Sequence, residues 1–334
     1  MIVAAHTPWP SGAALRNKVR AIMDVILHIG THRTATTAYQ RYLRLNAPDL
    51  TAQGLHVWGP LRTRQKLFPG LMPSAGATQA ARDRAVGRIR LNCHRLVRQG
   101  ARQLLVSDEN MMGFMRDNLC ATRLYRDVGE RVARLVHAFD GRVGHVVLGI
   151  RSLDSYWASV IGYSVARGVP VPGPDRLDRL VTQPRSWRDV VTDVACASPG
   201  ARLSVLPFEN FVGRADAELA AMTEGRVIPP AAHAADSRNE TPDRAALQAI
   251  LHDRGRGETL PDGPACWQPF DTLQAAALRE THLNDLFWLR AGADGLATLT
   301  EDHVPQGAGA NLPGHPMTRG QENDRQERGL VQTR

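Results

Sequence analysis

The stretch Val25-Ile26-Leu27-His28-Ile29-Gly30-Thr31-His32-Arg33-Thr34-Ala35-Thr36-Thr37 decides how this chain is read. Its first five residues make a short, almost wholly apolar run, the pattern of a parallel strand buried on both faces. From residue 36 to residue 46, Tyr39, Tyr42 and Leu43 recur on one side and Arg41 and Arg44 on another, which predicts a helix. Gly30 permits the tight turn between the two. A strand that passes through such a turn into a helix makes an anion site, because the first helical N–H groups and the positive end of the helix dipole face the turn. Thr34, Thr36 and Thr37 add hydroxyl donors, and Arg33 adds a planar cation suited to phosphate or sulfate oxygens. The bland alternative is a strand-to-helix turn capped by threonine. Three threonines and an arginine packed into one turn weigh against it.

Further apolar runs alternate with helical patterns along the chain. Strands are expected at 103–106, 145–150 and 202–206, with a possible short one at 55–58 inside a Pro-, Gly- and Arg-rich stretch, 47–78, that otherwise reads as loop. Helices are expected at 78–98, 118–139, 153–167 and 187–195, from about 207 to 222, and at 243–252 and 272–290. Strands alternating with helices predict an α/β chain with a parallel sheet, and ligands of such sheets bind at the carboxyl ends of the strands. The expected organisation is an N-terminal extension over 1–23, with Met23 a candidate start, one domain over 24–299, and a polar, poorly ordered tail over 300–334.

Composition narrows the partners. The 334 residues are 43% hydrophobic, enough for a real core, and carry a net charge of +8, which suits an anionic ligand. Lysine occurs only at Lys18 and Lys66, so arginine carries almost all of the positive charge. Aromatic residues are only 5% and the arginines are mixed with acids, which argues against a nucleic-acid surface of interleaved basic and aromatic residues. The four cysteines are scattered without a C-x-x-C pair, as expected of mostly buried free thiols in a reducing, cytoplasmic setting. No cysteine or histidine cluster has metal-ligand spacing, and no apolar run of about 18 residues predicts a transmembrane helix.

The loop differs from a triphosphate-binding G-x-x-x-x-G-K-[ST] motif, in which the lysine comes six positions after the first glycine. That position here is Thr36, and the cation, Arg33, comes three positions after Gly30. Arg33-Thr34-Ala35-Thr36-Thr37 instead resembles the 5′-phosphosulfate loop of sulfotransferases, roughly P-K-[ST]-G-T-T, with Arg33 in place of the lysine and Ala35 in place of the glycine. A second stretch, Gly149-Ile150-Arg151-Ser152-Leu153-Asp154-Ser155-Tyr156-Trp157-Ala158-Ser159, resembles the family's 3′-phosphate motif, an arginine at a strand end and a serine eight residues on in the next helix. Asn46 through Gly54, the strand at 103–106, Arg202 through Glu209 and Arg238-Asn239-Glu240-Thr241-Pro242 also look like bacterial members, so the resemblance covers roughly residues 24–255.

The resemblance implies a three-layer P-loop-like fold, a central parallel sheet flanked by helices. It implies transfer of a sulfuryl group from 3′-phosphoadenosine-5′-phosphosulfate, with no metal, to a hydroxyl acceptor, carbohydrate or lipid-linked. Arg33 through Thr37, Arg151 and Ser159 would hold the nucleotide, and Arg33 would also act in catalysis. The transfer needs a base near the acceptor. Ser107-Asp108-Glu109-Asn110 follows a strand directly, and Glu109 is the proposed base. Two other readings are open: a Walker-B acidic pair holding magnesium, and a helix cap at Asp108 or Ser107. His32, a loop residue of the kind usually solvated, and His56 are further candidates. Tyr156, Trp157 and Tyr163 read as core before they read as a ligand platform. The competing functions are a P-loop kinase or triphosphatase and a non-enzymatic polyanion-binding protein.

Overall fold

The computed structural model describes residues 23–73, 78–236, 241–255 and 260–301. The expected extension and tail, and Arg238-Asn239-Glu240, lie outside the described residues apart from Met23, Thr300 and Glu301. Strands β1 (Asp24–His28), β2 (Leu55–Trp58), β3 (Gln103–Ser107), β4 (Val143–Ile150), β5 (Arg202–Pro207) and β6 (Thr298–Leu299) form one sheet in the order β2-β3-β1-β4-β5-β6. Every pairing is parallel, with Leu27 opposite Val106 of β3 and Val146 of β4.

Both faces of the sheet are covered, which is why its strands are apolar without alternation. Val25 and Leu27, Leu104 and Val106, and Val146 and Leu148 point into one buried cluster. Ile26, Leu105 and Val147, from the same strands, point into another. The second cluster is closed by α1 (Thr36–Leu45), through Tyr39, Tyr42 and Leu43, by α2 (Ala47–Ala52) and, later in the chain, by Leu219 and Met222. The first is closed by α3 (Gln79–Arg98), α5 (Val128–Ala138), α6 (Leu153–Val165) and α8 (Trp187–Ala197); α4 (Met115–Ala121) and α7 (Pro174–Thr182) complete that stretch. Beyond β5 come α9 (Ala215–Thr223), α10 (Arg244–Asp253) and α11 (Thr272–Arg290). Helix, sheet and helix form the expected three layers.

Several local expectations change, among them the helix expected from about 207 to 222, which is a short turn, Phe208–Phe211, and then α9, with Gly213 at φ 72° between them. The stretch 47–78 is not mainly loop: besides β2 it holds α2 and a helical passage from Pro60 to Leu67 whose second half, Thr63–Leu67, is a π-turn. The helix expected over 118–139 is two, α4 and α5, because Thr122 and Tyr125 take positive φ values of 47° and 32°. Tyr125 is thereby turned inward, and Arg185 fixes the break by donating to the carbonyls of Leu124 and Tyr125. The strand β6 and helix α7 were not expected. The cysteines are free, but only Cys93 is buried, whereas Cys120, Cys196 and Cys266 are exposed. Their helix-end and loop positions carry them past the edge of the core. Among the described residues no helix is long and apolar enough to cross a membrane.

Under the loop that follows β1 lies a buried polar pair. His28 Nδ1 is 2.9 Å from Ser107 Oγ, and His28 Nε2 is 3.7 Å from Glu218 on α9. Burial lowers the His28 pKa to about 4 and pushes Glu218 up to about 8, so near neutral pH both are uncharged. The folded chain thus keeps a proton on Glu218 that the unfolded chain releases above its ordinary 4.5. Stability from this group is therefore full below pH 4.5, declines as pH rises, and levels off above about 8. Urea unfolding of wild type and Glu218→Gln across pH 5 to 9 is expected to show the wild type losing stability relative to the variant as pH rises. Parallel curves would refute the buried, protonated carboxyl.

Candidate functional site

The carboxyl ends of β1, β3 and β4 open on a cleft of about 500 Å³. The strand order switches sides at β1, with β3 and β2 on one side and β4 and β5 on the other, so the crevice lies at the topological switch point. Arg33, Ala35, Thr36, Thr37, Glu109, Arg151 and Ser159 all line it.

The loop after β1 is shaped by its threonines. Thr34 Oγ1 and Thr36 Oγ1 both donate to the Thr31 carbonyl, at 2.7 and 3.2 Å. Thr34 therefore faces a small cavity beneath the loop rather than the cleft. Thr36 is buried, and Thr37 presents the exposed hydroxyl. Arg33 and Ala35 sit in the left-handed region, at φ 68° and 58°. Ala35 caps α1 with no side-chain bond, which leaves the helix start open to a ligand. Each of these two residues carries a steric cost that glycine would avoid.

Arg33 ties the two motifs together. Its Nε donates to Ser159 Oγ at 2.9 Å and its Nη2 to Thr241 Oγ1 at 2.8 Å, and its guanidinium stacks 4.8 Å from the Tyr163 ring centre. Arg151 Nη1 donates to the Arg33 carbonyl at 2.8 Å, and its guanidinium lies 4.5 Å over Phe208. The Arg151 carbonyl is in turn held by Trp187 Nε1 at 2.7 Å. Burial, and secondarily the neighbouring Arg151, brings the Arg33 pKa down to about 10, which leaves it cationic at neutral pH. Arg151 Nε is buried without a partner. An unpartnered cationic donor beside a second arginine and an open helix start favours an anion.

Across the cleft the acidic pair divides its work. Asp108 is buried and fully engaged: Arg64 Nε and Nη2 donate to its Oδ1 at 3.0 and 2.7 Å, Thr63 Oγ1 donates to its Oδ2, and the Asn110 N–H is capped by it at 3.0 Å. Of the roles open to it, the cap is the one its contacts fill. Glu109 lines the cleft, accepting from Arg64 Nη2 and Gln40 Nε2, each at 2.9 Å. Burial alone would raise its pKa, but the Arg64 charge and the Gln40 amide outweigh burial and hold it below the ordinary 4.5.

His32 is buried rather than solvated. Its N–H donates to the Tyr125 hydroxyl at 3.0 Å, its Nδ1 lies 2.9 Å from the same hydroxyl, and its Nε2 lies 3.1 Å from Asn110 Oδ1. The chain break that turned Tyr125 inward is what engages it. Burial lowers its pKa and keeps it neutral. His56 lies on β2 and does not line the cleft. Tyr156 and Trp157 are core, but Tyr163 lines the cleft under Arg33. Arg64 and Gln40 were missed: Arg64 projects from a π-turn that no spacing announces. Among the described residues no group of three histidine, cysteine or acidic residues could hold a metal.

Comparison of the chain with family models, with curated proteins and with solved structures gives no match.

Two outcomes are expected from this geometry. Ala35→Gly removes a left-handed Cβ and should raise the unfolding free energy by about 0.5–1 kcal/mol in urea denaturation. In Arg64→Gln the charge that chiefly opposes burial at Glu109 is lost, so its carboxyl, followed by NMR, should titrate higher than in the wild type. An unmoved Glu109 titration would remove Arg64 as the cause of the shift.

Proposed function

We propose that the protein is a sulfotransferase that moves a sulfuryl group from 3′-phosphoadenosine-5′-phosphosulfate to a hydroxyl acceptor. The observation that carries the proposal is the 2.9 Å bond from Arg33 to Ser159, which joins two phosphate-type motifs 126 residues apart in one cleft. A nucleotide with phosphates at both the 5′ and 3′ positions needs two adjoining anion subsites. The start of α1 with Arg33 offers one, and Arg151 with Ser159 and Thr241 offers the other.

In the transfer, the acceptor oxygen forms a bond to sulfur as the bond from sulfur to the 5′-phosphate oxygen breaks. The acceptor proton passes to the Glu109 carboxylate, and the electron pair leaves on the bisphosphate product, whose charge Arg33 offsets. Arg33 at a pKa of about 10 remains a cation throughout and stabilises by charge rather than by giving up a proton. Glu109 is ionised and positioned by Arg64 and Gln40, although the same contacts make it a weaker base. A magnesium-dependent kinase would need Asp108 as a metal ligand, and its oxygens are already occupied by Arg64, Thr63 and the Asn110 N–H. Four free cysteines agree with a reducing, cytoplasmic setting.

Calorimetric titration with 3′,5′-adenosine bisphosphate, ATP–magnesium and a DNA oligomer tests the proposal. The bisphosphate is expected to bind tightest, and Arg151→Ala to weaken it by about 2–3 kcal/mol, the scale of a charged hydrogen bond. Tight ATP–magnesium binding with none of the bisphosphate would overturn the assignment in favour of a kinase.

A further inference from the structure

The phosphate cleft adjoins a second, wider groove of about 1210 Å³. Thr37 lines both, and Gln40, on the wall of the groove, bonds Glu109 in the cleft. A ligand lying in the groove can therefore bring one end to the proposed base. The volume exceeds the roughly 300–1,000 Å³ usual for a compact small-molecule site.

The lining has two parts. Leu43 and Leu67 are buried, and Val57 and Pro60 extend that apolar floor to Leu61, which is 71% exposed at the rim. The charged lining residues are all basic, Arg41, Arg44, Arg62, Lys66 and Arg88, and no acid is among them. Three of these cations have partners already. Arg41 pairs with Asp236, Arg62 bonds Asn92 and covers Trp58, and Arg88 donates to the carbonyls of Leu67 and Pro69. The Arg44 and Lys66 side chains are exposed and make no hydrogen bond or ion pair with any described residue. Thr37, Gln40, Arg41 and Arg44 form one stripe of α1 at helical spacing, which sets Arg44 about 10 Å along the axis from Thr37.

An apolar floor with free cations on its wall and a transfer site adjoining it fits an amphiphile. A purely polar glycan would satisfy Arg44 and Lys66 but would lay hydroxyls over leucine, valine and proline with few polar partners. A neutral lipid would use the floor and leave the cations idle. We propose that this groove holds the acceptor, a hydroxyl-bearing amphiphile with an anionic group, its hydroxyl end at Thr37 and Glu109 and its anionic group at Arg44 and Lys66. The acceptor role rests on the sulfuryl-transfer proposal above; the ligand class rests on the groove alone.

The test is calorimetry of the full chain with ω-hydroxydodecanoate below its micelle concentration, with the matching dodecane diol and a short heparin oligosaccharide as controls. The hydroxy acid is expected to bind wild type about tenfold more tightly than the diol does, a gap that closes in the Arg44→Gln/Lys66→Gln double variant. Leu61→Asp should weaken both aliphatic probes. Equal binding of diol and hydroxy acid to wild type, an unaffected double variant, or binding of the heparin fragment in preference to the hydroxy acid would each overturn the ligand class. 3′,5′-Adenosine bisphosphate titrated in parallel separates the two proposals. Its retention in the double variant, with the hydroxy acid lost, supports the groove as a distinct subsite. Hydroxy-acid binding with no bisphosphate binding to wild type overturns the acceptor role and leaves the ligand class standing.

Discussion

The site depends on two arginines kept close together in half-buried surroundings. Arg151 follows β4 directly and reaches back to the Arg33 carbonyl, while the Arg33 side chain crosses to Ser159 on the helix that Arg151 leads into. Each cation is disfavoured by burial, and Arg33 further by its neighbour. Neither has a carboxylate bonded to it among the described residues. Two such groups placed together concentrate positive potential in the cleft, partly offset by the Glu209 and Asp154 charges that Arg151 feels, and an anionic ligand would complement it. The neutrality of the ground beneath serves the same end. His28 and Glu218, uncharged near pH 7, neither repel nor neutralise the arginines above them.

The backbone of the loop is bent to the same purpose. Gly30, Arg33 and Ala35 all take positive φ, and only the first can do so without a Cβ penalty. The bend is held by the Thr34 and Thr36 hydroxyls, which both close on the Thr31 carbonyl. β4 runs close beneath it: a Cβ at Gly149 would come into van der Waals contact with Thr34 Oγ1, at 3.4 Å. Strain of this kind, over-determined by its surroundings, is common where a backbone must present N–H groups to a ligand.

The parts legible in the sequence were those governed by short-range pattern. The apolar runs at Val25–Ile29 and 145–150 announced strands covered on both faces, and the all-parallel sheet follows from their alternation with helices. The rule that ligands meet parallel sheets at strand ends placed Arg33 and Arg151 at one edge, while Ser159, inside a helix, was singled out only by the resemblance to a 3′-phosphate motif. Contacts set by irregular backbone could not be read. Arg64 reaches Asp108 and Glu109 because a π-turn rotates it, and Tyr125 engages His32 because positive φ at residues 122 and 125 breaks a helix that the apolar spacing made continuous. In both cases the tertiary partner, not local propensity, chooses the backbone. The role of Thr34 was likewise hidden: a hydroxyl in an anion loop can face the ligand or brace the turn, and composition does not distinguish the two.

The acidic side of the cleft gives the site its polarity. Arg64 Nη2 bridges Asp108 at 2.7 Å and Glu109 at 2.9 Å, so two carboxylates share that cation. Asp108, buried and capped, absorbs most of that cation, while Glu109 keeps an edge on the cleft. The cleft therefore runs from a cationic pole at Arg33 and Arg151 to an anionic one at Glu109. A group transfer in which the leaving side gains negative charge and the entering hydroxyl loses a proton matches that polarity at both ends. A deeper Glu109 would be protonated by its own burial and unable to accept a proton near neutral pH. A fully exposed one would lose its alignment to solvent. The contacts from Arg64 and Gln40 hold it between those limits, at some cost in basicity and with a gain in orientation.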